Sequence, residues 1–508
     1  MVAFQQKKLV RMVKTRLALF RCDADQNIGM GHLMRCQAIA IGLKAQNWQT
    51  TIASSKATFD LIPSLSEKFD HCVVVPDSDL SACGLDGLII GRYDLCVIDH
   101  YKISAKYETL CRRWAKKIVV LDDLANREHD CDILVDTSFG RNVSDYAGLI
   151  PSHTKALFGP SYAPLDTNFW KLRHTIERRL KSNPVKRILI SFGGADTGQL
   201  TETAVKAVNA TKANISLDVV VPADFQNSAD IEELCRVATQ DCLLHKGTDQ
   251  MSALMAQTDI SIGAAGVTAW ERCSLGVPSI VVVAFDNQKL IAKALEDNSA
   301  ALVVNGGSGD RTDAITETLN MLIANHELRL KIAKSAASLC DGLGTNRIIS
   351  EIYEAPKTSD GKCVSIRRAT EADLLSTFNW QSDPRTRKYS TNPNIPDFKE
   401  HQAWFTQSLR NPNRILTIVE LEGQPSGALR FDRKKVPTST QESWYVSIYI
   451  DLDVASMGLG SAALKLGRRL LPNAIFIAEV LDENIASRKV FEKNGYISDK
   501  GTYVSKPE

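Results

Sequence analysis

Within Arg21-Cys-Asp23-Ala-Asp-Gln-Asn-Ile-Gly29-Met-Gly31-His32-Leu-Met-Arg-Cys36, a histidine follows two glycines and opens a helical pattern (Leu33, Cys36, Ile39, Ala40, Leu43). The apolar run 17–20 before it reads as a strand. Strand, glycine turn and helix put His32 at a helix N-terminus above the strand ends, where open α/β sheets bind ligands. Backbone N–H groups and the positive helix end favour an anion there. The same end disfavours an imidazolium, so a neutral His32 can accept a proton. The expected chemistry is general base catalysis beside an anionic substrate. A lone histidine is more often structural, but the Gly-x-Gly setting separates His32 from His71, His153, His174, His245 and His326.

Other polar residues fall at the ends of apolar runs. Cys96-Val-Ile is followed by Asp99, His100 and Tyr101, and Leu121 by Asp122 and Asp123. Such residues face the same cleft as His32 and can position a sugar or a water. Capping of a following helix is the alternative for the three aspartates. In the second half, Ser191-Phe-Gly193-Gly194-Ala-Asp196 and Gly263-Ala-Ala-Gly266-Val-Thr268 each join an apolar strand to a helical pattern. Glycines there let the backbone approach a phosphate, and the helix donates free N–H groups. Glu271 can accept two ribose hydroxyls, or can simply be a favourable acid near a helix N-terminus.

These residues need a scaffold, and the apolar pattern supplies one. Candidate strands at 17–21, 49–53, 72–75, 95–98, 118–121 and 133–135 alternate with amphipathic stretches, which predicts a mostly parallel sheet with helices on both faces. A charged helix around 168–180 leads to a second α/β unit, with strands at 187–191, 217–221, 242–245, 260–262 and 280–283. Residues 354–362 are polar, carry Pro and Gly, and read as a linker. A third unit follows, with strands at 364–367, 416–421, 427–431, 446–450 and 475–480 and helices at 371–380, 458–470 and 484–493. The expected domains are a basic N-terminal extension 1–16, units 17–175 and 176–353, linker 354–362, and unit 363–508.

The chain is 508 residues long with a net charge of +2, and five cations (Lys7, Lys8, Arg11, Lys14, Arg16) crowd its first sixteen residues. The remainder offers no broad cationic field, which argues against nucleic acid as a partner. The 12 cysteines include no Cys-x-x-Cys pair and no zinc-ligand spacing. They read as free thiols of a reducing compartment, so a cytoplasmic location without a membrane span is expected. The oligomeric state leaves no signal in the sequence.

Taken in order, Arg21-x-Asp23, Ile28-Gly29-x-Gly31-His32-x-x-Arg35-Cys36, Asp99-His100-Tyr101, Asp122-Asp-Leu124, Cys131-Asp132, the Gly193–Gly194 turn and Gly266-x-Thr268-x-Trp-Glu271-Arg resemble the UDP-2,4-diacetamido-2,4,6-trideoxy-β-L-altropyranose hydrolases of pseudaminic acid biosynthesis. The resemblance covers roughly 17–352. It implies two Rossmann-like domains in a glycosyltransferase-B-type arrangement and inverting attack of water at the anomeric carbon, with His32 as the base. It places nucleotide contacts on Gly193, Gly194, Gly263, Gly266, Thr268, Glu271, Asn287 and Gln288, and substrate contacts on Arg21, Asp23, Gly29, Gly31, Asp99, His100 and Tyr101. No metal is expected. Asp166-Thr-Asn168 departs from the family's Arg-Pro-Glu. A glycosyltransferase that passes the sugar to an acceptor is the rival within this architecture.

The third unit resembles the GCN5-related N-acetyltransferases over about 364–508. The resemblance implies acetyl-CoA as co-substrate, with pantetheine along Ile448 and Ile450. It puts the pyrophosphate on Gly458, Leu459, Gly460, Ser461 and Ala462, and further contacts on Asn484, Ser487 and Phe491. Trp380, Pro384, Glu400, His401, Trp404 and Phe405 resemble the acetyltransferases acting on the 4-amino group of a UDP-linked amino sugar. Ala455 stands where the loop usually begins with Arg or Gln, and Phe491 where many members carry a tyrosine acid. Glu400, His401 and Tyr449 are substitutes for that acid, although for His401 and Trp404 one face of an amphipathic helix is the stronger reading. The expected whole is a bifunctional enzyme, acetylating the 4-amino UDP-sugar and then releasing UDP. The alternative is a hydrolase carrying an acetyltransferase-like module that has lost catalysis.

Overall fold

A computed structural model describes residues 15–24, 30–76, 85, 91–181, 184–193, 199–211, 213–223, 225, 228–238, 241–283, 288–305, 311–390, 392–434, 442–454 and 458–505. Of the candidate residues named above, Gly29, Gly194, Asn287 and Ala455, with most of the basic extension, lie outside the described residues.

The first sheet contains β1 (Arg16–Cys22), β2 (Trp48–Ser55), β3 (His71–Val75), β4 (Leu95–Asp99), β5 (Ile118–Leu121), β6 (Ile133–Asp136) and β7 (Lys155–Phe158). Its order is β3-β2-β1-β4-β5-β6-β7, and all the pairs are parallel. Both faces are covered, which is why these strands read as continuous apolar runs. Phe20, Val97 and Val119 enter the core on one face, and Leu19, Cys96 and Val120 the core on the other, as the strand period of two requires. The chain reverses direction across the sheet between β1 and β4, and a crevice opens at their carboxyl ends.

The second sheet repeats the design. It contains β8 (Arg187–Ser191), β9 (Ser216–Val221), β10 (Cys242–Lys246), β11 (Ile260–Ala264), β12 (Ser279–Val282) and β13 (Leu302–Val304), ordered β10-β9-β8-β11-β12-β13 and parallel throughout. Its switch point lies between β8 and β11. These are two Rossmann-like domains in the glycosyltransferase-B manner.

Two stretches of chain join them. The segment after β7 becomes a helix (Thr167–Lys171), a 3-10 turn (Leu172–Thr175) and a second helix (Ile176–Lys181), where the sequence predicts one helix. The return is made by helix Gly344–Ile352. Although it falls in the range expected for the second unit, its Ile348, Ile349 and Ile352 join the core of the first domain. The two stretches are fastened together. Thr345 Oγ1 donates to the Leu165 carbonyl (2.7 Å), Arg347 donates to that of Ser161 (2.7 Å), and a Cβ on Gly344 would run into the Ala163 backbone.

The third sheet is mixed: β14 (Val364–Arg368), β15 (Arg414–Leu421), β16 (Gln424–Lys434), β17 (Ser443–Ile450), β18 (Ile475–Glu479), β19 (Ile497–Asp499) and β20 (Thr502–Ser505), ordered β14-β15-β16-β17-β18-β20-β19. Among the described residues only β17 and β18 pair in parallel, and their pairing stops at Tyr445–Ile477, after which the strands diverge. This is the mixed sheet of a GNAT domain.

That domain is packed against the two joining stretches. Trp170 and Leu343 belong to its main apolar core, and Trp170 lies 5.9 Å from Trp444 between ring centroids. The Arg433 guanidinium sits over both indoles. Asn346 donates to the Leu470 carbonyl (2.8 Å) and Arg469 to that of Glu354 (2.9 Å). The segment expected as a linker is itself ordered by contacts: Thr358 is buried, its carbonyl and hydroxyl close a turn onto Gly361 and Lys362, and Lys357 bridges to Cys363.

Candidate functional site

His32 is the second residue of helix Gly31–Lys44, which rises from the carboxyl end of β1 and is buried along the face bearing His32, Arg35, Cys36 and Ile39. His32 Nδ1 forms a very short hydrogen bond with Asp99 Oδ1. A ring nitrogen so close to a carboxylate carries the shared proton, so Nδ1–H donates and Nε2 keeps its lone pair. Arg35, one helical turn on, grips the same carboxylate through Nε and Nη2, both at 2.8 Å. Its Nη1 reaches Asp123 Oδ2 at 3.0 Å. Tyr101 presents its ring edge-on to His32, 4.4 Å between centroids, and its hydroxyl donates to Asp123 Oδ2 at 3.3 Å.

Electrostatics keep Asp99 and Arg35 ionised. Burial alone would raise the Asp99 carboxyl, but the charges and hydrogen bonds of Arg35 and His32 outweigh it and hold the group below its ordinary value. Burial likewise works against the Arg35 cation, and the carboxylates of Asp99 and Asp123 more than compensate. The Asp99 carboxylate lies directly against His32 Nδ1 and is the counter-charge beside the ring.

Arg21, Asp23 and His100 form a separate group. Arg21 pairs with Asp23 (2.7 Å), which also accepts from Ser55 N–H (2.8 Å) and from Ser54 Oγ (3.1 Å). His100 Nδ1 accepts the Lys102 N–H, so its proton is on Nε2, 3.2 Å from Asp23. The hydrogen bonds of Asp23 thus go to protein partners that tie β1, β2 and β4 together. Asp99 is fully buried and turned onto His32 and Arg35. Arg35 stands in the sequence motif without an assigned role; its i, i+3 spacing from His32 on one helical face is the signal that places it.

The second domain meets this cluster. Gly266 N-caps helix Val267–Ser274, and a Cβ on Gly31 would lie 3.7 Å from Val267 Cγ2. Two helix N-termini, one from each domain, therefore converge where an anion is favoured. Gly263 lies so close to the Ser191 carbonyl that no side chain fits, and Gly193 takes φ +79° in the turn after β8. Thr268 Oγ1 accepts from Arg272 (3.3 Å). Glu271 is buried, its Oε2 has no hydrogen-bond partner, and burial lifts its carboxyl to about 7. Gln288 stands at the N-cap of helix Lys289–Asp297. Among the described residues no group of three or more His, Cys, Asp or Glu could hold a metal ion, and no helix is long and apolar enough to cross a membrane.

In the third domain, the divergence of β17 and β18 leaves the edge of β17 around Ile448 and Ile450 without a strand partner on that side among the described residues. Gly458, at φ +83°, N-caps helix Leu459–Leu470, and a Cβ there would meet nothing within 4 Å. An open backbone at a helix N-terminus beside a split sheet fits a pantetheine diphosphate. Ser461 Oγ exchanges hydrogen bonds with the Asn494 amide, and Asn484 caps helix Ile485–Lys493 by accepting the Ser487 N–H (3.0 Å). Leu459, Ala462 and Phe491 are buried in the core, Phe491 against Tyr496 and Tyr503. His401 is buried among Phe378, Trp404 and Phe405 with Nε2 3.2 Å from Thr377 Oγ1, and burial lowers its pKa. Glu400 is exposed in the first turn of its helix. The Tyr449 hydroxyl is buried beside Gln381 without a well-formed hydrogen bond, and burial pushes the phenol well above its ordinary value.

Residues 364–497 match the Acetyltransferase (GNAT) domain family. The C-terminal domain has the GNAT fold. Across nearly the whole chain, an uncharacterized protein of Methanocaldococcus jannaschii is 24% identical over 487 residues, 94% of this chain and 96% of that protein. The spore coat polysaccharide biosynthesis protein SpsG of Bacillus subtilis is 24% identical over 339 residues, 65% of this chain and 97% of that protein. The UDP-2,4-diacetamido-2,4,6-trideoxy-beta-L-altropyranose hydrolase of Campylobacter jejuni is 29% identical over 201 residues, 38% of this chain and 66% of that protein.

Proposed function

We propose that the two N-terminal domains release UDP from UDP-2,4-diacetamido-2,4,6-trideoxy-β-L-altropyranose by hydrolysis. The observation that carries this reading is the His32–Asp99 pair at the meeting point of two helix N-termini. His32 Nε2 takes a proton from water as the water oxygen bonds to the anomeric carbon. The bond from that carbon to the diphosphate oxygen breaks, and UDP leaves with the electron pair. Asp99 holds the ring in the tautomer that frees Nε2 and stabilises the imidazolium. Arg35 orients Asp99. The helix ends at Gly31 and Val267 meet the charge on the departing diphosphate, and Glu271 accepts the ribose hydroxyls. The Campylobacter relative, named as this hydrolase, supports the substrate.

A second reading follows from the Bacillus relative, which is named for polysaccharide biosynthesis and is matched over nearly its full length. The same base can deprotonate a sugar hydroxyl, making the domains a UDP-sugar glycosyltransferase. One assay separates the two. In 18O-labelled water without any acceptor, the hydrolase releases UDP and puts label on the sugar C1 hydroxyl. Release only upon addition of an acceptor would overturn hydrolysis.

For the C-terminal domain we propose acetyl-CoA binding at the Gly458–Ala462 loop, Ile448, Ile450, Asn484 and Ser487, with acetyl transfer to the 4-amino group of the UDP-sugar precursor. The burial of Phe491 and His401 supports the competing reading, a domain that binds acetyl-CoA without transferring from it. Tyr449, kept protonated by its burial, is then the remaining acid of the three substitutes near the split strands. Titration of the full chain with acetyl-CoA, followed by a thiol-release assay with the 4-amino UDP-sugar, tests both. Binding without thiol release would leave a binding module.

A further inference from the structure

Three successive strand-end loops of the first domain are laced together by buried polar groups that the proposed hydrolysis does not use. The Tyr146 hydroxyl lies 2.8 Å from Asp122 Oδ2 and 2.9 Å from Asp136 Oδ2. Asp122 also accepts from Arg127 (2.6 Å) and from the Ala125 N–H (2.9 Å). Asp136 accepts from Arg141 (2.6 Å) and the Ser138 N–H (2.8 Å). The same two arginines reach sideways: Arg127 donates to the His100 carbonyl (3.2 Å) and Arg141 to that of Asp123 (3.0 Å). The loops after β4, β5 and β6 are thereby held as one rigid rim beside His32. Rigidity of this kind serves a rim that must hold a ligand in one pose.

The rim presents an unusual outer set. Asp123 is fixed through Oδ2 by Arg35 and Tyr101, while its Oδ1 is buried and has no hydrogen-bond partner. Next to it, Leu124 is 38% exposed, and Phe139 on the neighbouring loop is 44% exposed. An orphaned acceptor and two exposed apolar side chains on the same pair of linked loops fit a sugar that offers N–H or O–H donors together with methyl groups.

We infer that Asp123, Leu124 and Phe139 form the subsite for the sugar ring: Asp123 Oδ1 accepts an amide N–H or a hydroxyl of the sugar, and Leu124 and Phe139 pack against its methyl substituents. The inference rests on the UDP-sugar reading above and deepens it: Leu124 and Phe139 belong neither to the UDP cradle nor to the water-activating pair, and Asp123 reaches that pair through Oδ2 and Arg35 alone, which leaves Oδ1 to the sugar.

The test compares UDP with UDP-2,4-diacetamido-2,4,6-trideoxy-β-L-altropyranose by calorimetry, using the full chain with His32→Gln to prevent turnover. In Asp123→Asn, the donors Arg35 and Tyr101 draw the amide oxygen into the Oδ2 position. The amide NH2 then replaces Oδ1, turning acceptor into donor while Arg35 keeps its partner. Leu124→Ser changes an exposed side chain and serves where the first variant fails to fold. Each should weaken the sugar nucleotide relative to UDP by about five- to tenfold, and Leu124→Ser, which touches no group of the His32 cluster, should leave UDP affinity unchanged. Equal affinity of the parent for UDP and the sugar nucleotide, or an unaltered ratio in both variants, would overturn the subsite. Failure of the hydrolase reading shows separately, as no UDP release by the unsubstituted protein, while the binding comparison still reads the rim.

Discussion

His32 and Asp99 are separated by 67 residues, yet Nδ1 of one and Oδ1 of the other share a single short hydrogen bond. The parallel pairing of β1 with β4 makes this possible, because it brings Cys22 level with Asp99 and so sets the start of the His32 helix over the carboxylate. Asp99 is best described as a positioning residue. Asp99→Asn should lower kcat for UDP release by about 10²- to 10⁴-fold, leave the dissociation constant of UDP unchanged, and alter the pH profile, since the imidazolium loses its counter-charge. An unchanged pH profile at reduced activity would point to a merely structural role.

Glu271 gives a pH signature in the second domain. Its carboxyl rises from the ordinary 4.5 to about 7 on burial. The folded state therefore holds a proton that the unfolded chain has released between these values, so this group makes stability fall as pH rises from about 4.5 to 7. The effect is on the order of 3 kcal/mol across that window. Denaturant melts of Glu271→Gln against the parent should show a stability difference that grows in favour of the variant over the same range. If the carboxylate accepts ribose hydroxyls, UDP affinity of the parent should rise more steeply between pH 6 and 8 than that of the variant, in which the terminal phosphate of UDP still titrates.

Gly263 tests the closeness of β8 and β11. A Cβ there would collide with the Ser191 carbonyl, and neither strand can yield inside a buried parallel sheet. Gly263→Ala should cost several kcal/mol, at least about 3, and abolish UDP binding, measured by thermal melting and calorimetry. A stable variant that binds UDP would refute the tight approach.

In the acetyltransferase-like domain, Tyr449→Phe removes one hydroxyl from a buried site where it makes no well-formed hydrogen bond. Folding and acetyl-CoA affinity should be unchanged. If the phenol returns the proton to the thiolate, acetyl transfer should drop by about 10²-fold or more in single-turnover assays. Equal transfer rates would remove Tyr449 from the chemistry.

The sequence made the central strands legible because strands buried on both faces must be apolar throughout: the run 95–98 is β4 almost to its ends. Edge strands carry no such demand. Lys155-Ala-Leu-Phe158 and Leu302-Val-Val304 are short, flank their sheets, and carry no distinctive pattern. The broken helix at 167–181 and the return of helix Gly344–Ile352 to the first domain depend on contacts across long stretches of chain, which local periodicity does not encode. In the site, His32 was legible from its glycines. The division of Asp99, His100 and Tyr101 was not, because it depends on which partner each residue meets: Asp99 turns to His32, His100 to Asp23, and Tyr101 to Asp123.

Helix Leu459–Leu470 begins at the loop proposed for acetyl-CoA and ends with Leu470 and Arg469 bound to the stretch that closes the first domain. Removing everything after residue 353 would therefore not release an intact two-domain protein. It would uncover Trp170 and Leu343, which fill the C-terminal core. Although the described residues form three separate sheets, the third cannot be detached without wounding the other two. A gene encoding this protein makes the N-terminal pair and the C-terminal domain in strict one-to-one proportion, and a lesion that unfolds one end is inherited as a defect of the other.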